Sequence, residues 1–180
     1  MDAKECIKGR RSIRKFTEAP IPCEVISEIV ETASYSPSWK HTQITRYVAV
    51  TGELKERIAK ECTSIYAGNA PIIDSAAVLM VITYVKNRSG FERDGSFSTS
   101  KEDRWEMFDT GISTQSLCLA AYDKGIGSVI LGLFDYDEVA KILELPEGIG
   151  VAALVPMGYP AEEPNAPRRK AVEELLSFKN

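Results

Sequence analysis

Histidine is nearly missing: His41 is the only one in 180 residues. Metal centres built on several imidazoles are excluded, and at most one Cys/His nucleophile pairing is available. The four cysteines, Cys6, Cys23, Cys62 and Cys118, form no CxxC pair. That spacing removes thiolate metal sites and favours reduced, buried thiols. No apolar run reaches the ~18 residues of a membrane span. The opening MDAKECIKGRR has no apolar core of the secretory kind, so a cytoplasmic location without a membrane partner is expected. GxGxxG and GxxxxGK[ST] loops are also missing, because the glycines of GIGSVILG (125–132) lead into a strand pattern and not a helix. No metal is expected.

What is present fits one globular domain over residues 1–180, with 161–180 a tail that has little core of its own and is expected to lie on another subunit. The chain is 44% hydrophobic and 27% charged, an ordinary globular mix. PCEVISEIVETASY (22–35) sets Val25, Ile26, Ile29, Val30 and Ala33 on one helical face, after Pro20 and Pro22. A strand over 45–52 and a helix over 53–66 follow. AAVLMVITYV (76–85) does not alternate, which predicts a strand buried on both faces. Residues 86–102 read as a polar loop, and 103–124 as a helix apolar round most of its circumference, hence central or at a subunit interface. A glycine-bounded strand (125–132), a helix with an Asp cap (135–145) and a buried strand (149–160) complete an α+β order.

Five of the eight residues from Lys8 to Lys15 are basic, in a chain of net charge −4. Such a cluster repels itself unless an anion faces it. A nucleic-acid track would need a broad positive face with interleaved aromatics, and Phe16 is the only aromatic nearby. A solvated basic surface is the commonest meaning of a charge run. Extended backbone, however, would project Arg10, Ser12 and Arg14 to one side. Two guanidinium forks and a hydroxyl converging there suit a phosphate monoester. A second stretch, SPSWKHTQ (36–43), packs more hydrogen-bonding groups into eight positions than a connector requires, with Pro37 fixing a turn.

Together these stretches resemble the nitroreductase family of FMN-dependent oxidoreductases. The RRSxRxF pattern stands at Arg10–Phe16 and the PSxxNxQ loop at Pro37–Gln43. G[LI]GSxxxG stands at Gly125–Gly132, and GYP with a basic tail at Gly158–Pro160 and Pro167–Lys170. The resemblance implies a three-layer α-β-α sandwich with a mixed central sheet, and a homodimer with exchanged tails and FMN at the interface. It implies that Arg10, Arg11, Ser12 and Arg14 bind the phosphate, ribityl chain and pyrimidine edge, with Arg169 returning to the phosphate. Pro37, Ser38, Trp39 and His41 would approach the flavin from the partner, and backbone near Leu131 and Gly132 would lie against its N5 and O4. The implied reaction is ping-pong hydride transfer through flavin N5, from NADPH or NADH to a small electron-poor acceptor such as a nitroaromatic, quinone or enone. No side chain is needed as catalytic acid or base. Dehalogenation, flavin degradation and non-catalytic flavin binding remain alternatives on the same fold. Two departures stand out: His41 occupies the usual Asn position, and Ile44-Thr45 follow Gln43 in place of Pro-Trp.

Overall fold

The computed structural model describes residues 1–179; Asn180, the last residue of the expected tail, lies outside the described residues. β1 (Thr45–Val50), β2 (Val78–Val85), β3 (Gly127–Ser128) and β4 (Ile149–Gly158) form a four-stranded sheet in the order β1-β2-β4-β3. The expected α+β class holds. The sheet, expected to be mixed, is antiparallel at every strand pairing. Its one parallel element is an isolated bridge between Ser12 and Ser128. The reason lies in the connections. Between β1 and β2 the chain makes two helices, α3 (Gly52–Cys62) and α4 (Ala70–Ser75), which carry it out and back. It therefore re-enters at the end it left, with Val50 beside Leu79, where a single crossover helix would have given a parallel neighbour.

β2 shows why its sequence lacks alternation. Met80 and Ile82 pack on one face with Ile29 and Ala33 of α2 (Cys23–Ser34) and Leu117 and Ala121 of α5 (Arg104–Asp123). Leu79 and Val81 pack on the other with Ile58 of α3, Ile73 of α4, Phe134, and Val139 of α6 (Tyr136–Ile142). Successive side chains thus serve opposite helical layers, and both must be apolar. The result is the α-β-α layering. Between Ile82 and Thr83 the pairing with β4 slips, leaving Ala152 as the extra residue of a bulge.

Several elements depart from expectation. The strand expected over 125–132 shrinks to Gly127–Ser128, with a separate bridge from Leu131 to Leu154. Ser128 faces Met157, so the next partner is Pro156, which has no N–H to donate and ends the ladder. The helix expected over 53–66 stops at Cys62. A short α1 (Ala3–Gly9) precedes the basic cluster, and α7 (Val172–Leu175) lies in the tail. α1 is held by the Asp2 carboxylate, which accepts from Lys4 N–H at 2.8 Å. Its polar sequence carries no apolar periodicity that would announce it. No helix among the described residues is long and apolar enough to cross a membrane.

Burial separates the thiols. Cys6, Cys62 and Cys118 are buried and Cys23 is exposed. Burial pushes the Cys62 thiol up to about 11, helped by Glu138 and Asp135. At pH 8 a thiol reagent should therefore label Cys23 quickly and the other three only as the protein opens. A count of one fast equivalent by absorbance checks this. The unfolded chain gives up the Cys62 proton at lower pH than the native state, so stability should fall as pH rises from 9 towards 11, in the same direction as the raised Tyr47 and Tyr84.

Candidate functional site

The basic segment is laid along the sheet edge by its apolar residues. Ile13 and Phe16 are buried. A Cβ on Gly127 would meet Ile13 at 2.8 Å, and one on Gly158 would meet Phe16 at 2.9 Å, so both strand glycines exist to admit this close approach. Ile13 N–H donates to Ser128 O at 3.0 Å, and Thr17 N–H to Tyr159 O at 2.9 Å. The returning chain zips onto the same segment: Ala161 N–H donates to Lys15 O at 2.9 Å, and Arg14 N–H to Glu162 Oε1 at 2.6 Å.

With Ile13 and Phe16 turned inward, Arg10, Ser12 and Arg14 line a cleft of ≈ 500 Å³ together with Arg11, Asn165 and Arg169. The two ends of the chain thus bring arginines to one place, in a protein whose net charge is negative. The donor set is what a phosphate requires: guanidinium forks, a hydroxyl and an amide, with no carboxylate lining the cleft. Arg11 has a second task. Its Nη1 donates to the carbonyls of Lys8, Gly9 and Arg10 at 2.7, 3.2 and 2.9 Å, closing the C-terminal end of α1, where a cation is favoured.

The 36–43 loop is strained. Lys40, His41 and Gln43 have φ of +43°, +58° and +49°. Three left-handed non-glycine residues in four positions each cost on the order of 1 kcal/mol or more and cluster where function demands a shape. Ser38 Oγ accepts Gln43 N–H at 2.9 Å, and the Gln43 amide meets His41 Nε2 at 2.7 Å. Trp39 Nε1 and Thr42 Oγ1 are buried with no partner among the described residues. Within one chain this loop does not join the arginine cleft. Ser38 lines a groove of ≈ 640 Å³ beside β1, and Pro37 another of ≈ 420 Å³ against α1 and α5; neither shares a residue with the cleft.

Leu131 and Gly132 also stand apart from it. Leu131 spends both backbone groups on Leu154, at 2.8 and 3.1 Å. Gly132 O accepts from Tyr136 Oη at 2.6 Å. Of the two residues, only the Gly132 N–H has no partner among the described residues.

Sequence reasoning missed the carboxylates that hold these loops. Asp109, buried on α5, accepts Trp39 N–H at 2.9 Å and the Ser89 hydroxyl on the same oxygen. One turn earlier Glu106 Oε1 accepts Asn87 N–H at 2.5 Å, and burial pushes its carboxyl up against the opposing pull of these amides. Lys40 pairs with Glu92 at 2.9 Å, and the Trp39 and Trp105 rings are 4.5 Å apart. The available signal was a pair of acids, at positions 106 and 109, inside an otherwise apolar helix. Asp109→Ala leaves two buried donors unpaired and should destabilise the protein by about 2–3 kcal/mol in urea unfolding, Asp109→Asn by less.

A model of the nitroreductase family matches residues 7–159. The NADH dehydrogenase of Thermus thermophilus is 28% identical, over 99% of this chain and 97% of that protein. The NADPH-flavin oxidoreductase of Vibrio harveyi is 30% identical, over 92% of this chain and 68% of that protein. The solved structure of a nitroreductase family protein from Clostridium novyi NT superposes with a TM-score of 0.78 at 27% identity, covering 90% of this chain and 87% of that one. With 153 residues inside the family match, counted from 7 through 159, this chain belongs to the nitroreductase family and is an oxidoreductase.

Proposed function

We propose that the protein is an FMN-dependent NAD(P)H oxidoreductase, a cytoplasmic homodimer that reduces small electron-poor acceptors such as nitroaromatics, quinones or enones. The observation that carries the reading is the cleft where Arg10, Ser12, Arg14 and Arg169 converge from opposite ends of the chain. An FMN phosphate bears close to two charges and cannot be desolvated without such donors. Arg10, Ser12 and Arg169 would hold that phosphate. Arg14 would face the pyrimidine edge, where a positive charge stabilises an electron-rich ring. A flavin held there would supply the redox chemistry that links NAD(P)H oxidation to reduction of the acceptor.

Dimerisation is supported by surfaces that one chain leaves uncovered. β1 pairs on one side only, beside the ≈ 640 Å³ groove. α5 exposes Met107 and Phe108, and the tail exposes Leu175, Leu176 and Phe178. A tail laid on the free edge of a second copy would cover both. Ser38 of the partner subunit, Trp39 of the partner subunit and His41 of the partner subunit would then complete the site and exclude water.

The experiment is a spectrum. The purified protein should be yellow, bleach on anaerobic addition of NADH or NADPH, and recover its colour with a quinone or nitroarene. A colourless protein that takes up no FMN overturns the flavin reading; a yellow one that never bleaches overturns the enzymatic reading alone.

A further inference from the structure

At position 41 an imidazole stands where the family pattern has an amide. Its Nε2 lies 2.7 Å from the side-chain nitrogen of Gln43. An amide nitrogen donates and does not accept, so Nε2 must be the acceptor. The neutral ring then carries its one proton on Nδ1, which has no partner among the described residues. Ser38 grips both residues: its carbonyl accepts His41 N–H at 3.0 Å, and its Oγ accepts Gln43 N–H at 2.9 Å. Gln43 O accepts from Arg46 Nη1 at 2.7 Å. His41 and Gln43 are both left-handed, at φ of +58° and +49°, so the contact is kept against backbone strain. The charges nearby are engaged elsewhere, Lys40 with Glu92, Asp109 with Trp39 and Ser89, and Arg46 with the Gln43 and Thr45 carbonyls.

We propose that Gln43 locks His41 in the Nδ1–H tautomer, and that this N–H is the donor each subunit presents to a flavin oxygen in the other's site. The inference rests on the flavin and dimer reading above. Covalent structure explains the choice of nitrogen. An Asn amide nitrogen and a His Nδ1 are both bonded to Cγ, whereas Nε2 lies an atom farther from the backbone. His41 thus keeps a donor at the reach an Asn would give it, provided that Nδ1 holds its proton. Gln43 meets that condition by occupying Nε2. It is a positioning residue, acting on the ligand only through the ring. The imidazole also narrows what can be recognised. An Asn amide carries a donor and an acceptor side by side, but the locked ring presents a donor alone. The atom it meets must therefore be an acceptor, a carbonyl oxygen of the flavin and not its ring N3–H.

The single histidine makes the tautomer directly readable, since every imidazole signal in a nitrogen-15 NMR spectrum belongs to His41. In the full-length, flavin-free protein at about pH 9, above the ordinary imidazole range, Nδ1 should be protonated and Nε2 bare. Gln43→Ala should return the ring to a mixture of tautomers. Adding FMN to the unsubstituted protein should shift the Nδ1 signal and leave Nε2 nearly in place. In fluorescence titrations with FMN, His41→Gln, which moves the donor out to the reach of Nε2, should bind about tenfold more weakly. The conservative His41→Asn, with its donor on Cγ, should recover most of that loss, and Gln43→Ala should weaken FMN about threefold. A protonated Nε2 in the unsubstituted protein overturns the lock. Equal affinities of His41→Gln and His41→Asn for FMN overturn the contact and leave the flavin reading standing. An unsubstituted protein that takes up no FMN overturns the flavin reading and the contact together.

Discussion

Replacing Arg10 and Arg14 together with alanine should weaken flavin binding by about two to four orders of magnitude, at about 1.5–3 kcal/mol for each charge-assisted contact removed. Neither side chain is part of the core; both line the cleft that Ile13 and Phe16 position from beneath. The fold should therefore survive, and circular dichroism should be unchanged while the yellow colour is lost on gel filtration. Arg10→Lys alone should retain part of the affinity, because an ammonium keeps the charge and loses the fork. The remaining binding should weaken with salt. A double variant that keeps its flavin through gel filtration would show that the basic segment does not hold the phosphate.

Phe134→Ala should have the largest effect on stability, about 3–5 kcal/mol, lowering the melting temperature by on the order of 10 °C. Phe134 is 0% exposed and stands at the junction of the helical layer and the sheet, its ring centroid 4.2 Å from that of Tyr136. It also anchors the segment carrying Leu131 and Gly132, whose amide is a candidate ligand donor. Asn69 reinforces that segment, its side-chain amide donating to Leu133 O at 3.0 Å. Thermal unfolding at fixed protein concentration measures the loss. A shift below about 3 °C would mean that the surrounding residues collapse into the space.

How far the sequence could be read depended on the range of the interaction concerned. α2, β2, α5 and β4 were legible because periodicity and apolar runs record burial directly, and the Asp135 cap behaves as its position suggests, accepting Glu138 N–H at 2.9 Å. Antiparallel pairing throughout the sheet was not legible, since strand direction depends on where connections return. The early end of β3 was hidden for a similar reason: the proline that stops it lies 27 residues away in sequence, Pro156 against Val129, and only the fold sets them side by side. At the site, the convergence of Arg10, Ser12, Arg14 and Arg169 followed from pattern and resemblance. The capping role of Arg11 is local, but nothing in a run of five cations singles out the one that turns back to the Lys8, Gly9 and Arg10 carbonyls. The loop-holding role of Asp109 is a tertiary fact, of which the acid pair at 106 and 109 shows the presence and not the partners.

The seam between residues 14–17 and 159–162 has a temporal consequence. Arg10 leaves the ribosome well before Arg169, so a nascent chain holds one side of the cleft and lacks the other until residue 169 has emerged. The edge on which Phe16 rests includes Gly158 and Tyr159, which are themselves late to appear. Assembly of the arginine cleft is thereby deferred until residues 158–169 have emerged, and a chain terminated before them lacks one of its walls.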